Sequence, residues 1–177
     1  MEYIRVIGAA LVVAAGAGFG ACPIHKMKER TREFEELYFC ILRLKSEINH
    51  VGKPLPEAIK AAAYCKREGT PGAYRTVMKH LANRLEQGRE SYELLVRTCA
   101  EEGFSDSVIS KEEQEEFVDT FLLLGGGDKE KQVQMLSYYS ENIRMAVMKE
   151  KQKKKEKSYL YRSLGILGGL FLSVIMY

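Results

Sequence analysis

The sequence has no tryptophan and only three histidines, and its four cysteines are widely separated. It contains neither a C-x-x-C pair nor an H-E-x-x-H motif, and no histidine stands at metal-ligand spacing. The glycine run 125–127 lacks both the G-K-[ST] sequence and the preceding strand of a phosphate-binding loop. The sequence therefore offers no set of residues at catalytic or metal-binding spacing. We expect a protein that is not an enzyme and that needs no metal or cofactor.

Charge is absent or nearly absent from two long apolar runs, one at each end of the chain. Residues 6–24 contain no charged side chain and as a helix would measure roughly 29 Å, close to the thickness of a bilayer's hydrocarbon core. The C-terminal run 159–177 is less regular, because Arg162 must reach the interface for the helix to span. We predict transmembrane helices at both places, preceded by a short external N-terminus of residues 1–5. The alternatives are a cleaved signal at the first run and a one-leaflet anchor at the second.

Basic residues cluster on the inner side of both runs. Because excess lysine and arginine stay in the cytoplasm, residues 25–158 should form a cytoplasmic domain of a cell-membrane protein. The residues expected at the membrane surface are Lys151, Lys153, Lys154, Lys155, Lys157 and Arg162. No aromatic residue interleaves Lys149 to Lys157 as base stacking would require, so the bilayer is the expected partner and nucleic acid is not.

Small residues inside the two runs favour close packing of membrane helices. Gly16 and Gly20 form a G-x-x-x-G pair, a spacing that also arises by chance in a run so rich in glycine. The residues assigned to such packing are Gly16, Gly20, Gly165, Gly168 and Gly169. Whether the chain forms a homo-oligomer stays open.

Helical spacing dominates residues 25–158. Apolar residues recur at three and four positions from Phe34 to Ile48, which places them on one helical face. Prolines 54 and 56 are expected to end that helix, and Gly88 and Gly103 to end two later ones. Ser110 begins a capping-box sequence, residues 125–127 break the helix that follows, and Asp128 fits the N-cap of a last, long helix. The prediction is an all-α, membrane-anchored bundle of about six helices.

Acidic residues are concentrated in the second half of this domain. Between Glu101 and Glu141 there are 11 acidic residues against three basic ones. This stretch is either a solvated face or a docking surface for a basic cytoplasmic partner. The residues assigned to partner binding are Glu112, Glu113, Glu115, Glu116 and Asp119.

Short motifs in a fixed order lie between the two terminal runs. They are E-I-x-x-x-x-x-P-L-x-E-A from Glu47 to Ala58, L-E-Q-G at 85–88, L-G at 124–125 with Asp128 and Gln132 downstream, and R-S-L-G-I-L-G-G-L-F at 162–171. The series resembles the stage III sporulation protein AB family of endospore-forming bacteria. The resemblance covers nearly the whole chain, and the closing glycine-rich motif is its most specific part.

The resemblance implies a fold similar to the cytoplasmic domains of the platform protein (the F component) of type II secretion and type IV pilus systems. It also implies a location in the mother-cell membrane around the forespore, within a channel complex that joins the two cells. The implied partners are a stage III sporulation protein AA-type ATPase and the other membrane components of that complex. The alternative function is a membrane-anchored regulator or sensor that acts through helix–helix contacts outside any secretion complex.

Overall fold

The computed structural model describes residues 25–65, 71–88 and 90–176, with the backbone alone at 158–162 and 164–176. Over these residues the chain forms six helices and no strand. They are α1 (25–46), α2 (Leu55–Ala63), α3 (Ala73–Gln87), α4 (Tyr92–Phe104), α5 (Lys111–Gly126) and α6 (Lys129–Met176). The predicted all-α bundle of about six helices is confirmed.

The described residues fall into two compact units. One unit is Arg30–Val147. It contains α2 to α5 in full, most of the described length of α1 and the first part of α6. Residues 25–29 and 148–176 belong to the other. The candidate site lies wholly within Arg30–Val147.

The predicted apolar stripe of α1 is buried. Phe34, Leu37, Ile41, Leu44 and Ile48 are all at most 6% exposed, so this face of the helix supplies one wall of the core. The helix is interrupted just ahead of the prolines, as predicted, although its C-cap residue is Gly52 and Pro54 is the N-cap of α2. The chain leaves α1 through a π-helical turn, Glu47–Val51, and then Gly52 at φ 75°, a left-handed conformation that glycine adopts without strain.

Aromatic rings from three helices form the centre of the core. The ring of Tyr74 lies 5.2 Å from that of Phe104, which lies 5.7 Å from the ring of Phe117. Phe117 in turn stacks on Phe121 at 4.3 Å. Because edge-to-face and offset pairs suit the ring quadrupole, these contacts fix α3, α4 and α5 against one another. The buried residues that α6 adds to this core are Leu136, Tyr139 and Ile143.

Two glycines have a role that differs from the predicted one. Gly103 does not end α4 but lies inside it, where a Cβ atom would stand 2.5 Å from the Cγ2 atom of Val77 and 3.1 Å from its backbone nitrogen. Gly125 is likewise helical, and a Cβ there would stand 2.3 Å from the ring of Tyr92. At both positions the missing side chain lets a neighbouring helix approach closely. Of the glycines 125–127 that were predicted to break the helix, only Gly127 lies outside α5.

The last helix begins where it was predicted. A side-chain oxygen of Asp128 accepts a hydrogen bond of 2.9 Å from the backbone N–H of Lys131, which satisfies one free donor of the first turn. From there α6 continues without a break to Met176, over backbone that includes most of the predicted second span.

The predicted membrane spans stay predictions. Residues 6–24, with Gly16 and Gly20, lie outside the described residues, as do the side-chain surroundings of Gly165, Gly168 and Gly169. Among the residues that are described, no helix has both the length and the apolar character that crossing a bilayer requires.

Candidate partner-binding groove

The first turn of α5 is tied to α1 by one of the predicted partner-binding acids. Glu113 completes the predicted capping box: its backbone N–H donates to the Ser110 hydroxyl at 3.4 Å, and its carboxylate accepts from the Ser110 N–H at 2.9 Å. The same carboxylate pairs with Arg30, whose guanidinium also donates to the Val108 carbonyl at 3.0 Å. Glu113 therefore has a structural role in the bundle.

The other four predicted acids share one surface. Together with residues of α6 they line an open groove of about 500 Å³ between α5 and α6. These acids are Glu112, Glu115, Glu116 and Asp119. Within the described part of the chain, no cation forms an ion pair with Glu115, Glu116 or Asp119, so the groove carries negative charge that the bundle does not neutralise.

Apolar side chains of both α5 and α6 line the groove beside these acids. Leu123 is 64% exposed and Tyr138 is 72% exposed, and Met135 lies beside them in the groove. Exposed large apolar side chains are ordinary when scattered, but here two of them border the same concave surface. The groove thus combines an apolar wall with an acidic rim.

Tyr139 lies at the base of the groove. Its side chain is 5% exposed, and no residue in the described part of the chain forms a hydrogen bond with its hydroxyl. Burial, and after it the nearby Tyr74 and Glu116, raise the pKa of Tyr139 well above its usual value, so the hydroxyl stays protonated. Partial burial also raises the pKa of Glu116, and the negative charge of Glu113 adds to that shift.

The turn between α5 and α6 holds the two walls of the groove together. The side-chain amide of Gln132 donates a buried hydrogen bond of 2.8 Å to the carbonyl of Leu124, near the end of α5. The hydroxyl of Tyr92 donates at 2.8 Å to the carbonyl of Phe121 one turn earlier. The first bond satisfies a carbonyl in the last turn of α5, where intrahelical donors run out, and links α5 to α6. The second bond links α5 to α4.

A second cleft lies on the other flank of α5. It measures about 320 Å³, runs between α4 and α5, and carries charges of both signs, including Arg97, Lys111 and Glu101. Glu115 and Asp119 border this cleft as well as the groove. These two acids therefore stand on the ridge between two depressions, where a partner can reach them from either side.

A buried polar cluster between α1 and α3 was missed by sequence reasoning. Glu36 accepts a hydrogen bond of 2.6 Å from the Gly72 N–H, and Glu33 accepts one of 2.8 Å from the Ala73 N–H. Arg75 lies against Glu36 in the same cluster. The two glutamates cap the N-terminus of α3 from another helix, because Gly72 has no side chain with which to do so. No local sequence pattern reports such a contact.

The predicted membrane-surface lysines lie outside Arg30–Val147. Lys151, Lys153, Lys155 and Lys157 are exposed and Lys154 is half-buried, whereas the side chain of Arg162 lies outside the described residues. The ammonium group of Lys153 is 3.1 Å from the carboxylate of Glu150, three positions earlier. Among the described residues no group of three or more histidine, cysteine or acidic side chains could hold a metal ion.

The fold defines an all-α helical-bundle protein. The family model for stage III sporulation protein AB matches residues 5–177, so the chain belongs to that family. A solved structure of a stage III sporulation protein AB is 18% identical with a TM-score of 0.60, over 72% of this chain and 98% of that one. No curated protein matches. The chain therefore has a role specific to sporulation, in a family known as a structural component and not as an enzyme family.

Proposed function

We propose that this chain is a structural platform of a sporulation-specific, secretion-like channel between mother cell and forespore. In this role it docks a cytoplasmic ATPase of the stage III sporulation protein AA type at the membrane, beside the other membrane components of the complex. The observation that carries the proposal is the groove between α5 and α6, where acidic side chains without counter-ions surround exposed apolar ones. Family membership and the resemblance to secretion platform domains support the same role.

The proposed arrangement places the bundle in the cytoplasm, with two terminal spans in the mother-cell membrane around the forespore. Anchoring raises the local concentration of the bundle beside its membrane partners, so that modest contacts suffice for assembly. An acidic docking surface also speeds the encounter with a basic partner, since complementary charge raises association rates. The interaction should consequently weaken with increasing salt.

Reversing the charge of the groove tests the proposal. In the full-length chain in mild detergent, we would combine Glu115→Lys, Glu116→Lys and Asp119→Lys and measure ATPase binding by interferometry. Glu112 and Glu113 stay unchanged, because the first lies at the helix N-terminus and the second completes the capping box. We expect binding to weaken about tenfold or more, from the loss of three attractive charges.

The matched control carries the same change in net charge elsewhere. Glu90, Asp106 and Glu156 are exposed and lie outside the groove, so their replacement by lysine should leave binding close to the wild-type value. Thermal unfolding of both triple variants confirms that the bundle is intact. Unchanged binding by the groove variant, or an equal loss in both variants, would remove this surface as the docking site.

A further inference from the structure

We propose that the groove between α5 and α6 receives an arginine side chain from a basic helical segment of its protein partner. This deepens the proposed function, on which it rests for the identity of the docked protein, by naming the chemistry that the groove recognises. The guanidinium lies between Glu116 and the hydroxyl of Tyr139, and its aliphatic stem lies against Leu123 and Tyr138.

The first observation is the unpaired hydroxyl of Tyr139. The side chain is only 5% exposed, and it lines the groove. Within the described residues its hydroxyl has no hydrogen-bond partner. The hydroxyl is not among the fully buried polar atoms that lack a partner, so it is the part of this buried side chain that reaches the groove and is open to a ligand. A ligand group that enters the groove can take the place of water as its hydrogen-bond partner.

The second observation is the charge around that hydroxyl. Glu116 lines the same groove and lies near enough to Tyr139 to perturb it electrostatically, and Asp119 lies one turn further along α5. Ionised carboxylates are acceptors only, so the ligand that suits them is a cation that donates hydrogen bonds. Phosphate, carboxylate and nucleic acid ligands would meet repulsion from all four acids.

The third observation distinguishes arginine from lysine. The groove offers several acceptors together with the exposed ring of Tyr138 and the side chain of Leu123. A guanidinium is planar, has five donors and stacks on aromatic faces, whereas an ammonium is a compact and strongly hydrated point charge. The long aliphatic stem of arginine also covers apolar surface while its charged end stays paired.

A peptide probe tests this chemistry without the ATPase. The probe is a fluorescein-labelled, 16-residue alanine-based helix with one arginine and flanking leucines on one face, titrated into the full-length protein in mild detergent. Matched peptides carry lysine or citrulline in place of arginine, citrulline being close in shape and uncharged. We expect the citrulline peptide to bind about tenfold more weakly, because the charge-assisted bonds are lost, and the lysine peptide to lie between the two.

The matched protein variants are Tyr139→Phe and Tyr64→Phe. The first removes only the unpaired hydroxyl and should weaken the arginine peptide about fivefold, with an unchanged or slightly higher Tm because no internal hydrogen bond is lost. The second removes an exposed hydroxyl that donates to Asn83 at 2.7 Å outside the groove, and should leave peptide binding unchanged. A purely structural role for Tyr139 would instead change the Tm and leave the distinction between arginine and citrulline intact.

The outcomes separate this inference from the proposed function. Equal binding of the arginine and citrulline peptides, wild-type binding by Tyr139→Phe, or no peptide binding up to about 1 mM overturns the arginine site. If Tyr139→Phe leaves ATPase binding intact while the triple charge reversal abolishes it, docking stands and the arginine site fails. If the peptide binds as expected and the ATPase does not bind, the site stands and the proposed function fails. Self-association that Tyr139→Phe abolishes, with no peptide binding, would make a second copy the occupant and overturn the inference.

Discussion

The guanidinium Nε of Arg75 lies 2.9 Å from a carboxylate oxygen of Glu36, and both side chains are more than nine-tenths buried. The other carboxylate oxygen of Glu36 accepts the Gly72 N–H, so one glutamate of α1 binds both the first turn of α3 and a cation within it. Glu33, one turn earlier in α1, brings a second carboxylate to the same place. Arg75 is thus the buried counter-ion of Glu36.

Loss of Arg75 should be far more costly than loss of an exposed arginine. We expect Arg75→Leu to reduce the free energy of unfolding by about 3–5 kcal/mol, because it leaves the buried carboxylate of Glu36 without its counter-ion. The control is Arg97→Leu, which breaks an exposed pair with Glu93 at 3.3 Å and should cost less than about 1 kcal/mol. Urea unfolding of both variants checks the prediction, and a similar cost at the two sites would contradict it.

Glu33 should make stability depend on pH. Burial, more than any other influence, raises the pKa of this carboxyl above the 4.5 of an unperturbed glutamate. The folded chain therefore holds the proton more tightly than the unfolded chain, and stability falls as the pH rises above about 4.5 through the folded pKa. Glu33→Gln keeps an oxygen for the Ala73 N–H and removes the charge.

This variant should be more stable than the wild type at pH 7, and the difference should shrink towards pH 4. Urea midpoints at the two pH values measure it. Glu90→Gln, at an exposed position, serves as the control and should show no comparable change. A difference that is the same at both pH values, or a loss of stability at pH 7, would count against a raised pKa.

Gly103→Ala should destabilise the bundle although alanine is the better helix former. The new methyl group would meet Val77, including its backbone nitrogen at 3.1 Å, and overpacking of this kind costs about 1–3 kcal/mol. Gly126→Ala is the matched control, since it is also helical and has open space around it. It should be neutral or stabilise by up to about 1 kcal/mol. Thermal unfolding that moved both variants in the same direction would refute the close approach of α4 and α3.

Glu113 and Glu115 should behave differently although both are acids of α5. Glu113→Ala removes the capping-box acceptor and the partner of Arg30, and should cost about 1–2 kcal/mol of stability. Glu115→Ala should stay within about 0.5 kcal/mol, because this side chain is exposed. The reverse order is expected for ATPase binding. Denaturant melts and interferometry on the same two variants therefore separate a structural acid from a binding one.

The position of the C-terminus tests the predicted topology. In a chain without its native cysteines, single cysteines at Tyr177 and Gln152 would be exposed to a membrane-impermeant maleimide in intact protoplasts. Two spans with a cytoplasmic bundle require labelling at 177 and none at 152. Labelling at neither site indicates a one-leaflet anchor, and labelling at 152 would place the bundle outside and end the proposed docking of a cytoplasmic ATPase.

Local patterns predicted the features of this fold that depend on neighbouring residues. The apolar stripe from Phe34 to Ile48 and the capping box at Ser110 follow from helical spacing and from one turn of sequence. Gly103 was misread because a glycine that ends a helix and one that admits a neighbour look alike in a single sequence. What distinguishes them is Val77 on another helix, which spacing along one helix does not report.

The groove was predictable in part, for the same reason. The acids of α5 were visible as a cluster, and four of the five assigned residues do share one surface. Part of the apolar wall comes from α6, through Met135 and Tyr138, and the ring of Tyr139 is buried only because the helices pack together. These two features depend on how α5 and α6 pack against each other, and the capping of α3 by Glu33 and Glu36 depends on how α1 packs against α3. A single sequence does not show which helices pack together.

The contact between Arg30 and Glu113 sets the order in which a growing chain can complete this bundle. Helix α2 packs on α3, α3 on α4 and α4 on α5, but Arg30 must wait for a residue 83 positions later. At about 5–20 residues per second, a ribosome needs several seconds to make that stretch. Phe34 acquires its contact with Tyr74 earlier, once α3 has emerged. The apolar stripe of α1 is therefore synthesised first and stays without this cover at least until α3 has emerged, and exposed apolar surface of this kind makes a newborn chain prone to aggregation in that interval.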